Sequence, residues 1–324
     1  MKLSEITRIS ESLSQVISEY LSQSDRSADD RLTTREMQQL FCASGISSGN
    51  LYQELEMDSD YVDVHEDIST SRDEVQLHSH TFYEVLYCRS GNLEYLLGTD
   101  RYRLQRGDIA IIPPGVSHRP LFLEQLTEPY NRVVFWINGD YAETILQRFS
   151  APQVDRHPQL LRTARTQWEM LEQYFQAAAQ ENRQRDLGWE AAVTANAELL
   201  CIGMYRAITH LPPPQSEKRE LLDEIMLYIE HHLTEKLSLE QTALYFHVSA
   251  STVSQLFRKR LDVSFYHFVT QRRLIAAKNL IQTGASLEQT AADVGFGDYS
   301  NFYRAFRREY GITPAAYRQL VRQK

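Results

Sequence analysis

The 324-residue chain contains no apolar run approaching the roughly 20 residues that a bilayer-crossing helix requires, so no membrane span and no membrane partner is expected. Its 3 cysteines, Cys42, Cys88 and Cys201, are far apart and form no Cys-x-x-Cys pair. That argues against a disulfide framework or a zinc ribbon and fits buried thiols in a reducing compartment. Glycine (13) and proline (10) are sparse, which excludes collagen-like and low-complexity architectures. There is no glycine-rich phosphate loop, no nucleophile elbow and no paired-carboxylate hydrolase site, so the common enzyme classes have no foothold and no enzyme is expected. Residues 1–20 carry Glu5, Arg8, Glu11 and Glu19 without a continuous apolar stretch; no secretory signal is read there, and the expected compartment is the cytoplasm.

What is present fills several cores. With 42% hydrophobic and 10% aromatic residues the chain is globular, and its length exceeds what one core usually supports. The net charge of −9 would argue against a nucleic-acid binder if it were spread evenly, but it is not. Residues 1–216 hold 19 Lys+Arg against 31 Asp+Glu, whereas residues 249–324 hold 12 against 5. An acidic body therefore carries a basic C-terminal segment of the kind that phosphate contacts need.

The three consecutive prolines of Leu211-Pro-Pro-Pro-Gln-Ser216 cannot continue a helix and mark a linker over 211–216. Upstream, Gln159 to His210 reads as two helices joined near Arg185 to Gly188, within a helical hairpin assigned to 151–210. Before it, 52–150 shows short strand-like runs such as Thr81-Phe-Tyr-Glu-Val-Leu-Tyr87 and Asp108-Ile-Ala-Ile-Ile112. Turn signals at Gly91-Asn92, Gly98-Thr-Asp100 and Arg106-Gly-Asp108 separate them, which predicts an antiparallel sandwich or barrel. Residues 1–51 read as a helical arm, with helices over Leu3 to Leu21 and Thr33 to Phe41.

The C-terminal segment, 217–324, contains an internal repeat. Ser238-Leu-Glu-Gln-Thr-Ala243 recurs letter for letter as Ser286-Leu-Glu-Gln-Thr-Ala291, and Phe257-Arg258-Lys259 matches Phe306-Arg307-Arg308 further on. Each copy opens with a capping box, Ser238 with Gln241 and Ser286 with Gln289, so each begins a helix. Short turns at Phe246 to Ser249 and Val294 to Gly297 lead into second helices that run to about Leu261 and about Tyr310. Small residues at Ala243 and Ala291 let paired helices approach, as in a helix-turn-helix. The exposed faces of the second helices are predicted to present Ser251, Ser254, Gln255 and Arg258 in one copy, and Tyr299, Asn301, Arg304 and Arg308 in the other. Such groups suit base edges and phosphates, and an ordinary solvated helix face is the competing reading.

From about Glu220 to Arg318 the chain resembles the C-terminal DNA-binding domain of the AraC/XylS family of bacterial transcription regulators. The resemblance rests on Arg273, Ala277 and Leu280, on the run from Gly295 to Arg308, and on Gly311, Thr313-Pro314 and Tyr317-Arg318. It implies a seven-helix domain with two helix-turn-helix units on double-stranded DNA. Ser251, Ser254, Gln255, Ser300, Asn301 and Arg304 stand at base-reading positions, and Arg258, Lys259, Arg307 and Arg308 at phosphate or packing positions. One departure is Asp262, where the family's first copy usually carries glycine; aspartate tolerates the left-handed conformation, so the turn is expected to survive.

A second constellation lies in the strand-rich region: His78-Ser-His80, Glu84 and Gly91, then Gly107, Pro113-Pro-Gly115 and His118. Positions 78, 80 and 84 share parity, so on one uninterrupted strand they would point to one face. The pattern resembles both halves of the cupin signature, with Phe122 where the second motif usually ends in asparagine. Three imidazoles and a carboxylate suit a divalent metal such as Zn, Fe, Mn, Ni or Cu, and equally suit hydrogen bonds to a polar organic ligand.

The combined expectation is an α+β multidomain protein: an N-terminal cupin-like antiparallel β-barrel with a helical hairpin, and a C-terminal all-α domain with two helix-turn-helix units. Its function would be a one-component transcription regulator, an activator, binding a small-molecule effector at His78, His80, Glu84 and His118 without a cofactor. A carbohydrate effector is what the resemblance implies. RNA polymerase and a second copy of the chain are the expected protein partners, the helical hairpin being the dimerisation element. The alternative is a metal-dependent cupin, metalloregulator or enzyme, fused to the same DNA-binding unit. His65, His157 and His247 have no partners at ligand spacing and are read as solvated or capping residues.

Overall fold

The computed structural model describes Ser22, Met57 and residues 59–69, 77–121, 128–149, 157–212 and 220–322. The helices expected between Leu3 and Phe41 lie outside the described residues, apart from Ser22, as do Pro213 to Ser216 of the linker. The chain divides into two compact units, one of Ser59–Val75 and Ser79–Asp223, the other of Met1–Asp58, Gln76–His78 and Glu224–Lys324.

The first unit is a barrel of two antiparallel sheets. Its strands are β1 (Val62–Ser69), β2 (Tyr83–Ser90), β3 (Leu93–Leu97), β4 (Asp100–Leu104), β5 (Asp108–Ile112), β6 (His118–Leu121), β7 (Tyr130–Ile137) and β8 (Gln159–Arg162). Five strands form one sheet in the order β1-β7-β2-β5-β8, and three form the other in the order β4-β3-β6. Alternation along the strands assigns side chains to two cores. Leu86, Cys88, Ala110, Ile112 and Val134 pack with Leu93, Tyr95, Leu97 and Leu104 between the sheets. Val85, Tyr87, Ile109, Ile111, Val133 and Phe135 face the opposite way. Helices cover this second face, so Asp108 to Ile112 is buried on both sides, as its unbroken apolar run requires. At the β4–β5 turn, Gly107 has φ +87° and a Cβ there would fall 2.7 Å from the Cβ of Ala164.

The covering helices are α1 (Gly139–Arg148), the 3-10 turn Gln167–Leu171, α2 (Glu172–Gln184) and α3 (Trp189–His210). Asn138 caps α1 by accepting from the backbone N–H groups of Asp140 and Tyr141. Phe175 of α2 is fully buried, its ring centroid 5.2 Å from that of Tyr87 and 5.3 Å from that of Phe135. The expected hairpin is α2 and α3, but Gln159–Arg162 is a strand, β8, paired with β5, and not the start of a helix. Its Leu160 enters the core between the sheets and Leu161 the core under the helices, which a strand does and a helix turn could not. Along α3, Val193, Leu200, Met204 and Ala207 are buried against this unit's own sheet and helices, so that stripe is committed within the chain. Also within this unit, the buried Arg101 of β4 is held by Glu94, Glu220 and Asp223.

From Leu221 on, the described residues form helices: α4 (Leu221–His231), whose first residues count with the barrel unit, α5 (Leu239–Tyr245), α6 (Ala250–Leu256), α7 (Phe265–Gln282), α8 (Leu287–Asp293), α9 (Tyr299–Tyr310) and α10 (Pro314–Arg322). These are the seven helices the resemblance implies. Ser238 and Ser286 cap α5 and α8 by accepting from Gln241 and Gln289 N–H, while the Gln289 side chain reaches forward to Asp293 and not back to its cap. α6 continues as a π-helical turn, Phe257–Leu261, and ends at Asp262 with φ 55° and ψ 24°, the left-handed geometry Gly311 adopts at the end of α9. The long α7 joins the two halves. Phe257 packs edge-on to Phe265 and Phe268 in the first, and Phe306 contacts Phe302, Tyr310 and Tyr317 in the second.

Candidate functional site

Each repeat forms a helix-turn-helix, α5–α6 and α8–α9. The first turn passes through His247 at φ 55°, the second through Gly295 and Gly297 at φ 84° and 75°. A Cβ on Gly295 would lie 2.6 Å from the carbonyl oxygen of Leu233 and 2.9 Å from that of Thr234, so the turn needs glycine for space as well as for φ. Arg273 of α7 buttresses the same region: its Nε and Nη2 donate to the carbonyls of Leu233 and Glu235, and its guanidinium lies over Phe296.

These caps and contacts position two exposed helical faces. Ser251, Gln255, Arg258 and Lys259 are exposed on α6 and its π extension, with Thr252 beside them; Ser254 is half-buried at the edge of that face. On α9, Ser300, Asn301, Arg304, Arg307 and Arg308 are exposed, and Tyr299 is half-buried. Apolar residues hold both helices from behind: Val253 and Phe257 in one, Phe302, Ala305 and Phe306 in the other. The side-chain order differs between them. On α6 the Gln255 amide donates to Ser251 Oγ at 3.4 Å. On α9, Asp298 caps the helix by accepting from Asn301 N–H at 2.7 Å and also accepts from Asn301 Nδ2 at 2.5 Å, while Asn301 Oδ1 accepts from Arg304 Nη2 at 2.7 Å. Asp298 was not among the predicted residues, although aspartate just before an exposed helix is an N-cap signal.

In the barrel, the structure gathers three of the four predicted groups. His80, Glu84 and His118 are buried, and each offers one donor atom within 4.8 Å of the others. His78 is buried but stands outside this group and falls in the other compact unit. The shared-parity argument fails because positions 78, 80 and 84 do not lie on one strand: the chain bends at Thr81 and Phe82, and β2 starts only at Tyr83. His80 nonetheless reaches Glu84, Nε2 to Oε2 at 3.5 Å, and His118 Nε2 lies 3.7 Å from Oε1. Both imidazoles use Nδ1 on a backbone carbonyl, His80 on Phe82 and His118 on Val116. A carbonyl only accepts, so Nδ1 carries a proton in each ring; a neutral imidazole then presents its Nε2 lone pair on the side of the carboxylate. Lone pairs converging on a carboxylate fit a cation, so these residues suit a divalent metal. Burial depresses His118 to about 4 and keeps it neutral, as a ligand must be.

Sequence reasoning missed the groups that extend this polar interior. Trp136 of β7, opposite Glu84, donates its indole N–H to Glu84 Oε2 at 3.1 Å. His65 of β1, which was read as solvated or capping, packs edge-on to Trp136 at 4.6 Å and lies 3.5 Å from Asp67. Asp67 in turn faces Arg132 across β1 and β7, and Arg132 sits over the Tyr130 ring. The equal parity of His65, Asp67 and Ser69 was a readable signal; their pairing with β7 was not.

Comparison with known proteins assigns both regions. A helix-turn-helix domain family matches residues 242–320, and a cupin domain family matches residues 65–124. The chain is similar to the uncharacterized HTH-type transcriptional regulator YfiF of Bacillus subtilis, 26% identical over 76% of this chain and 79% of that protein. It is 27% identical to the HTH-type transcriptional activator RhaR of Pectobacterium atrosepticum, over 75% of this chain and 86% of that one. With the regulatory protein PocR of Salmonella typhimurium it shares 32% identity over 36% of this chain and 37% of that protein. Among the described residues, no helix is long and apolar enough to cross a membrane.

Proposed function

Starting from an AraC-type transcription regulator that joins a DNA-binding helix-turn-helix domain to a cupin domain, we propose that the barrel senses a small molecule and that sensing controls transcription of a nearby operon, as an activator. The observation that carries this is the pairing, in one chain, of two outward helix faces rich in hydrogen-bonding and cationic groups with a buried polar cluster inside a barrel. Ser251, Ser254, Gln255, Ser300, Asn301 and Arg304 are assigned to the faces turned toward the bases, and Arg258, Lys259, Arg307 and Arg308 to phosphate contacts. The effector pocket centres on His80, Glu84 and His118, extended by Trp136, His65, Asp67 and Arg132. Planar polar groups beside aromatic faces suit a polyhydroxylated effector, and a carbohydrate is the class the family resemblance implies. For the effector to act, it must bind the DNA-competent and incompetent states with different affinity, since equal binding shifts nothing.

The chain acts as a regulator and not as an enzyme, in the cytoplasm, as a homodimer that engages RNA polymerase. Similarity to an activator supports the sign of regulation. A reporter driven by the chain's own regulatory region tests the sensing role. Replacing His80 and Glu84 together with alanine should abolish or alter induction while DNA binding by the purified protein persists; unchanged induction would remove the barrel from the signal path.

A second reading has its own observation: the two Nε2 atoms facing the Glu84 carboxylate, with one donor atom from each residue within 4.8 Å of the others, favour a metal at His80, Glu84 and His118. A bound divalent ion would supply a positive centre for an oxygen-bearing effector. Metal analysis of untagged protein decides this. Stoichiometric metal that is lost in the His80→Ala, Glu84→Ala double variant establishes a metalloregulator; negligible metal in both leaves the organic-ligand pocket.

A further inference from the structure

We propose that Asn301 is a positioning residue that holds the Arg304 guanidinium ready for a guanine, and that it does not read a base itself. The inference rests on α9 being the second recognition helix. Asp298, Asn301 and Arg304 are spaced three apart, on one exposed face. The Asp298 carboxylate only accepts hydrogen bonds, so the Asn301 group 2.5 Å from it is the amide NH2. That fixes the amide orientation. Its oxygen must then face the other way, where it accepts from Arg304 Nη2 at 2.7 Å.

The polarity of this relay decides which residue is available to DNA. An asparagine reads adenine by using its oxygen and its NH2 together, on N6 and N7. Each end of Asn301 already serves a charged partner, the NH2 a carboxylate and the oxygen a guanidinium, and these two bonds hold the amide plane in place although one N–H and one lone pair remain. Turning the amide toward adenine would break two charge-assisted hydrogen bonds. Arg304, by contrast, donates only one Nη2 hydrogen to the relay, and the remaining donors include the pair that guanine O6 and N7 accept. A guanidinium already held in orientation also loses less side-chain freedom on docking than a free one. The first unit has no counterpart: Gln255 meets Ser251 at 3.4 Å, with neither an acid nor an arginine in the chain of contacts. The second unit is therefore the stricter reader.

The test uses the full chain and duplexes that the wild-type protein selects from a randomised pool, with affinity measured for every base at every position. Arg304→Ala should erase a guanine preference at one position, a change of about tenfold or more. Asn301→Ala should weaken that same preference several-fold while leaving other positions unchanged, and the double variant should match Arg304→Ala alone. The Asp298 cap accepts from the backbone N–H of residue 301, which alanine retains, and equal melting temperatures check that the variants fold. The proposal is overturned if Asn301→Ala removes an adenine preference, or if it leaves the guanine preference intact. If Arg304→Ala changes no base preference, or the wild-type chain selects no sequence, the reading of α9 as a recognition helix fails and the relay fails with it.

Discussion

Gly295 sets the geometry of the second helix-turn-helix at a single residue. Its backbone is left-handed at φ 84°, and two backbone carbonyls, of Leu233 and Thr234, fill the space where a side chain would begin. Both are backbone and cannot swing aside as a flexible side-chain end could, and Leu233 O is held further by accepting from Arg273. Gly295→Ala should therefore destabilise the protein by about 2 kcal/mol or more, through strain and displacement together. Urea denaturation followed at the C-terminal unit would check this; a loss under half a kilocalorie would mean the turn accommodates a Cβ. Asp262 shows the tolerant case. It holds the left-handed position at the end of the first helix-turn-helix at φ 55°, as expected of a short polar residue that tolerates this conformation.

At the scale of elements, the helices are attached to the barrel by a few large aromatic contacts. Phe175 joins α2 to β2 and β7 through Tyr87 and Phe135, and it has no exposed surface. Phe175→Ala should cost about 3–5 kcal/mol, read as a lowered denaturation midpoint, with the helices of the second unit unaffected. Elements with local signals were legible in the sequence: the serine caps at 238 and 286, the glycine at the end of α9, the turn glycines between strands. β8 was not, because Gln159-Leu-Leu-Arg162 has good helix formers and becomes a strand only by pairing with β5. α1 also went unread, although Asn138 is a strong cap. The clustering of His80, Glu84 and His118 was legible in the sequence, and that of His78 with them was not. The parity argument assumed an uninterrupted strand, and the bend at Thr81 and Phe82 breaks it; His80 reaches Glu84 across that bend, and His78 is not in the group. Arg132, Asp67 and Trp136 were hidden for a different reason: what brings them together is the register of β1 and β2 against β7, a long-range property that no local pattern carries.

For the whole molecule, charge is asymmetric along the chain: an acidic body, to which sensing is proposed, and a basic segment from residue 249 onward. The proposed homodimer needs a surface the fold has not already used. The inner row of α3 is buried within the chain, whereas Leu199 on its outer side is 49% exposed, next to Ala195 and Ile202 on the same side. Light scattering should give twice the chain's 37.6 kDa for the wild type and a monomer for Leu199→Glu. A wild-type monomer would contradict the dimer, and an unchanged dimer in the variant would move the interface off α3.

The most direct test of the account is the salt dependence of DNA binding by the full chain, on a selected site and on an unrelated duplex, for the wild type and for Arg307→Gln. The account predicts that the selected site is preferred by about a thousandfold or more. It also predicts that log K falls linearly with log salt, with a slope about one unit shallower in Arg307→Gln on both duplexes, because one phosphate contact is gone. Equal affinity for the two duplexes, or a binding constant insensitive to salt, would contradict it.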